Sequence, residues 1–135
     1  MQSFWHFVLN DKAAYNKLKD EVREAYKAGR LSELVTWAEA QELTYFQMCL
    51  KEAMRLRPAV GLSIQRYVPP CGAMIDGQHY PGGVGVSVNA WPVHRDKAVF
   101  GQDADSFRPE RWESVNAKEM EKHLYQVRSL VSVVT

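Results

Sequence analysis

The residues best placed to do chemistry together are Glu52 and Arg55. They stand in the run Leu50-Lys51-Glu52-Ala53-Met54-Arg55-Leu56-Arg57-Pro58. An i, i+3 spacing brings the two side chains together on one helix face. On a solvated face such a pair is worth well under ~1 kcal/mol. Here the surrounding pattern is apolar on two sides. One stripe is Leu43, Phe46, Leu50 and Ala53; a second is Tyr45, Cys49 and Leu56, with Met48 beside it. A helix apolar on two faces is normally buried. A buried pair needs further hydrogen-bond partners, because removing one member strands a charge at a cost of roughly 3–5 kcal/mol. An arginine from elsewhere is a natural third partner for the carboxylate, since a guanidinium binds it bidentately. Phe107-Arg108-Pro109-Glu110-Arg111-Trp112, dense in aromatic and charged groups, supplies one in Arg111. Taken alone, that segment also reads as an ordinary surface loop.

Other reactive types lead less far. Arg66 lies on an expected strand, Ile64 to Val68, and faces either solvent or an anion; strand alternation does not decide which. In His94-Arg95-Asp96 the aspartate is placed to cap a short helix. His94 has no second ligand at a useful spacing, so a local hydrogen bond is expected rather than a metal. Cys49 and Cys71 have neither C-x-x-C spacing nor paired histidines, which argues against a zinc site, and two cysteines are too few for a disulfide scaffold. They read as reduced thiols of an intracellular protein. The glycines at 72, 77, 82, 83 and 85 lack G-x-G-x-x-G spacing and read as turns, not as a phosphate loop.

The elements that must carry these residues are helical in the first half and short strands in the second. Residues 2–9 read as the last turns of an apolar helix. Asp11 caps the next, where Ala14, Leu18, Val22 and Ala25 recur at helical spacing. Gly29 stops it. Ser32 to Ala40 reads as a short helix capped by Ser32. The Glu42–Leu56 helix follows, and Pro58 ends it. Ala73–Ile75 and Gln78–Tyr80 flank Asp76-Gly77, a favoured hairpin turn. Val84, Val86 and Val88 alternate as in a half-exposed strand. Residues 95–113 read as irregular and 116–126 as a last helix. The fold class is α+β: a mainly helical first half with a small mixed β-sheet.

Composition narrows the function. The chain has 135 residues, 46% of them hydrophobic and 24% charged, enough for one packed domain. With 17 basic against 16 acidic residues the net charge is +1, so no basic excess points to nucleic acid. No segment is long and apolar enough to span a membrane, and the opening apolar run lacks the basic leader of a signal peptide.

Taken in order, these motifs resemble the cytochrome P-450 family, in texture the fungal pisatin demethylase-like monooxygenases. Leu50 to Pro58 is similar to the family's E-x-x-R helix. Ile75 to Gly83 resembles the hairpin that follows, and His94-Arg95-Asp96 with Phe100 to Trp112 the loop region before the heme. The resemblance covers about residues 2–126, and four ordered motifs make it specific. It implies that Glu52, Arg55 and Arg111 form the salt-bridged triad that fixes the loop packed under the heme. It implies that Arg66 reaches a heme propionate. It also implies a small-molecule substrate and a reductase as partners.

Departures from the family pattern set further expectations. The A-G-x-[DE]-T-[TS] oxygen-activation segment is not among these residues, nor is the membrane anchor of fungal relatives. The F-x-x-G-x-R-x-C-x-G loop, which carries the axial thiolate, is due near Tyr125-Gln126. Residues 127–135 read V-R-S-L-V-S-V-V-T instead, an aberrant tail. The chain is thus expected to be one partial domain over 1–135, truncated before the heme-cysteine loop and inactive alone. Competing readings are a non-enzymatic interaction module, a pseudogene remnant, or an unrelated small α+β binding domain.

Overall fold

A computed structural model describes residues 2–59, 61 and 64–129 of the chain. Its backbone contacts divide it into two compact units. One comprises residues 1–57 with 105–115, the other 58–104 with 116–135.

The first unit is helical. Helix α1 (Gln2–Asn10) buries Phe4 and Val8. Asp11 then turns the chain: its carboxylate accepts from the amides of Ala13 and Ala14 and starts α2 (Lys12–Lys27), as expected of an aspartate N-cap. Ala14, Leu18 and Ala25 are buried as the periodicity requires, but Val22 is exposed. It stands at the margin of the apolar face, beside Arg23 and Tyr26. The helix stops where Gly29 takes a φ of +69°. The Ala28 amide donates to the Glu24 carbonyl, that of Gly29 to Tyr26, and that of Arg30 to Ala25.

Two starts differ from the sequence reading. Helix α3 spans Trp37–Glu42 and is capped by Thr36, which forms a reciprocal capping box with Glu39. Ser32 is not the cap. Its hydroxyl instead binds the same Glu39 carboxylate at 2.9 Å from outside the helix. The Thr36/Glu39 pair has the capping-box spacing, which satisfies two orphan amides where a lone serine satisfies one. Helix α4 (Thr44–Leu56) begins after Leu43, which ends α3 and offers no side-chain cap. It is the hub of this unit and buries Tyr45, Met48, Cys49, Glu52, Ala53, Arg55 and Leu56. Arg57 caps it before Pro58. Against it packs a 3-10 turn, Pro109–Glu113, which starts on proline and buries Arg111 and Trp112. Phe107 stacks on Phe7 with centroids 5.2 Å apart.

The second unit holds the strands. Among the described residues they form two separate antiparallel ladders rather than one mixed sheet. Strands β1 (Ile64–Tyr67) and β4 (Gly85–Val88) pair with Arg66 opposite Val86; β2 (Ala73–Ile75) and β3 (Gln78–Tyr80) pair as a hairpin. Two-residue Asp76-Gly77 turns, with both φ positive, enforce antiparallel pairing with the immediate neighbour. Gly82 is required for space: a Cβ there would lie 2.7 Å from Pro70 Cα and 2.8 Å from the Pro69 carbonyl.

The segment read as irregular contains short helices. Asn89 caps α5 (Ala90–Val93) and Asp96 caps α6 (Lys97–Phe100), the latter as expected. His94 is buried and its bond is not local. Its Nε2 lies 3.2 Å from the Leu124 carbonyl of α7 (Ala117–Ser129), which assigns the proton to that nitrogen. The long reach follows from packing, since His94 and Leu124 are both buried although 30 residues apart in sequence. Helix α7 continues past the expected end at 126; residues 130–135 of the expected tail lie outside the described residues. No helix among the described residues is long and apolar enough to cross a membrane.

Candidate functional site

The Glu52 carboxylate, on α4, has no solvent exposure, and neither has Arg55 one turn on. Arg55 holds it in bidentate fashion: Nε donates to Oε2 at 3.0 Å and Nη2 to Oε1 at 2.9 Å. The 3-10 turn brings up the rest. Arg111 Nε donates to Oε1 at 2.8 Å, and the backbone N–H of Arg108 to the same oxygen at 3.0 Å. Trp112 Nε1 donates to Oε2 at 3.1 Å. The structure therefore brings Glu52, Arg55 and Arg111 together.

Two guanidiniums share this one carboxylate. Arg55 Nη2 and Arg111 Nη2 also donate to the Ser106 carbonyl, at 3.2 and 3.3 Å. Charge-assisted bonds of this kind are the strong ones in proteins. A carboxylate so occupied, and shut off from water, has no approach for a substrate proton. What the cluster does chemically is hold two segments in fixed register.

Sequence reasoning missed three members: the indole of Trp112, the Arg108 amide and the Ser106 carbonyl. The only signal was Trp112 itself, since a buried indole N–H usually finds an acceptor.

A second layer surrounds the cluster. Glu110, next to Arg111, is ion-paired to Lys17 of α2 and accepts from the Tyr45 hydroxyl at 3.1 Å. Burial by itself would raise the Glu110 carboxyl. The Lys17 ammonium, the backbone and the Tyr45 hydroxyl outweigh it and hold the group below the usual carboxylate range. Glu21 of α2 accepts from the Tyr45 and Phe46 amides at 2.7 and 2.9 Å, capping α4 from another helix.

Arg66 is exposed on β1, and its guanidinium makes no hydrogen bond or ion pair among the described residues. The thiols fit an iron ligand poorly. Cys49 is buried in α4, and burial pushes its thiol up to about 12, whereas iron takes the thiolate. Cys71 is exposed in the turn before β2. No cluster of metal-ligating side chains occurs among the described residues.

Comparison with known proteins gives a family. The Cytochrome P450 family model matches residues 1–127. The chain is 41% identical over 125 residues to the cytochrome P450 monooxygenase cicH of Emericella nidulans, covering 93% of this chain and 25% of that protein. It is 39% identical over 112 residues to the cytochrome P450 monooxygenase gsfF of Penicillium aethiopicum, covering 83% and 22%. It is 36% identical over 116 residues to a pisatin demethylase of Fusarium vanettenii, covering 86% and 22%. The chain thus spans about a quarter of the length of these relatives. Helices, antiparallel ladders, a buried Glu52–Arg55 helix and a match along nearly the whole chain agree, and the chain belongs to the cytochrome P450 family.

Proposed function

We propose that this chain is part of a heme-thiolate monooxygenase of fungal secondary metabolism, in which Glu52, Arg55 and Arg111 fix the segment packed beneath the heme. The substrate is a small organic molecule and a reductase supplies electrons. The observation that carries the reading is the buried Glu52 carboxylate, held at once by Arg55 on its own helix and by Arg111, Arg108 and Trp112 of a distant turn. Heme, when bound, supplies dioxygen cleavage at an iron whose thiolate ligand pushes electron density toward the O–O bond. Arg66 would pair with one propionate. The Glu52 cluster would keep the segment below the ring in place without itself exchanging protons.

A chimera tests this. Residues 2–126 replace the matching segment of a pisatin demethylase, and the reduced carbon monoxide spectrum is recorded. The chimera should keep a thiolate-type band, and Glu52→Gln in it should lose that band. If Glu52→Gln leaves the band at full strength, the triad role is wrong.

The 135-residue polypeptide is, in this reading, inactive by itself. Its Cys49 thiol is buried and protonated, and Cys71 sits in an exposed turn, so neither is suited to ligate iron. Heme added to the purified polypeptide should give no thiolate-type band, and no turnover with a reductase. Such a band would overturn the point.

A further inference from the structure

Helix α2 lies outside the Glu52 cluster, yet two of its side chains grip both segments that build it. Lys17 and Glu21 stand one turn apart on α2, a spacing that puts them on the same face. Lys17 is ion-paired to Glu110 of the 3-10 turn. Glu21 holds the first-turn amides of α4 at Tyr45 and Phe46. Tyr45 closes the ring, since its hydroxyl donates to the same Glu110 oxygen that Lys17 binds.

Both grips bear on the cluster through stiff connections. Glu110 is covalently next to Arg111, in a turn whose first residue is proline. Tyr45 and Glu52 are buried on one helix, two turns apart, so moving the start of α4 moves Glu52. No other contact of Lys17 or Glu21 is needed for the effect.

We propose that Lys17 and Glu21 are positioning residues: through Glu110 and the α4 amides they set the spacing at which Arg111 and Trp112 meet Glu52. Their part in the monooxygenase rests on the reading above; the positioning itself does not.

The test reads the cluster directly in the 135-residue chain, without heme. Trp112 is buried and its indole N–H is bonded to Glu52, whereas Trp5 and Trp37 are 50% and 76% exposed. Exchange of the Trp112 indole proton with deuterium is followed by NMR, with the buried Val8 amide as an internal control. Lys17→Met and Glu21→Gln should each speed indole exchange about two- to fivefold relative to Val8, the scale of a partly exposed ion pair. Lys17→Arg, which keeps the charge, should restore the native rate. Equal acceleration at Trp112 and Val8 would mean general destabilisation and would overturn the proposal, as would no change at Trp112.

Should Lys17→Met fail to fold, salt gives the same readout. The Lys17 and Glu110 side chains are 57% and 36% exposed, so ~1 M sodium chloride screens their attraction. Salt should then speed Trp112 exchange in the native chain and leave it unchanged in Glu110→Gln; equal salt responses would overturn the proposal. Because heme is absent, a failed chimera leaves this result standing, and a failed exchange experiment leaves the chimera's result standing.

Discussion

At the scale of single residues, Glu52 matters most because of what its loss strands. Glu52→Gln removes the charged carboxylate that the buried Arg55 and Arg111 share, and should destabilise the chain by about 3–5 kcal/mol. The urea midpoint measures this, and a shift within error of zero would show that the cluster opens to water. Glu110 gives a pH dependence of known sign. Its carboxyl is held low in the folded chain, so its contribution is present above the unfolded carboxylate pKa. It is lost as pH falls through the folded value. Glu39 and Glu119 are held low as well, so the informative quantity is the difference from Glu110→Gln. That difference should shrink on acidification below the ordinary carboxylate range, stay flat through neutral pH, and shrink again where the raised Lys17 ammonium deprotonates. The two thiols should also part company. Cys49 is buried and protonated while Cys71 is exposed. A thiol reagent should therefore modify Cys71 alone in native buffer and both residues in denaturant.

At the scale of elements, the turns decide what the short strands can do. The β1–β4 ladder is closed by the passage from Pro69 to Gly83, where Gly83 donates to the Val68 carbonyl and Val68 to that of Val84. Gly82 sits against Pro69 and Pro70 backbone that has no rotamer to yield. Gly82→Ala should therefore cost about 1–3 kcal/mol, the usual scale of overpacking. Amide exchange should speed up first at Val68 and Gly83. Normal protection there would mean the turn relaxes more easily than its contacts suggest. Gly77→Ala strains differently: it meets open space, but at a φ of +76°, so its penalty comes from the backbone.

At the scale of the whole molecule, the buried and exposed apolar residues tell different stories. Each unit has its own core: α1, α2 and α4 with the 3-10 turn in one, and Val68, Ala90, Phe100, Ala104, Met120 and Leu124 in the other. Yet Leu34, Val35 and Trp37 are 86%, 53% and 76% exposed in adjacent positions before and at the start of α3. Large exposed apolar groups of this kind bind hydrophobic dyes and promote association. The native 135-residue chain should bind such a dye, and Trp37→Ser with Leu34→Ser should reduce the binding without lowering the melting temperature. An unchanged dye signal would place the responsible surface elsewhere.

The sequence by itself determined the parts that obey local rules. Asp11 and Asp96 as caps, Gly29 as a stop, Asp76-Gly77 as a hairpin turn and the double stripe of α4 are each read within a few residues, because capping, turn geometry and periodicity are short-range. The Glu52–Arg55 spacing belongs to the same class, and ordered motifs carried the family. Only the tertiary structure decided the rest. Thr36 capped α3 in place of Ser32 because a reciprocal box satisfies more amides. Val22 fell to the exposed side because the apolar face of α2 is narrower than its stripe. His94 reached Leu124, and Glu21 capped α4, because the partners of a buried polar group are chosen by packing and not by distance along the chain. Trp112, Arg108 and Ser106 joined the Glu52 cluster for the same reason: a buried carboxylate between two arginines takes whatever donors the folded backbone delivers, and sequence spacing does not say which those are.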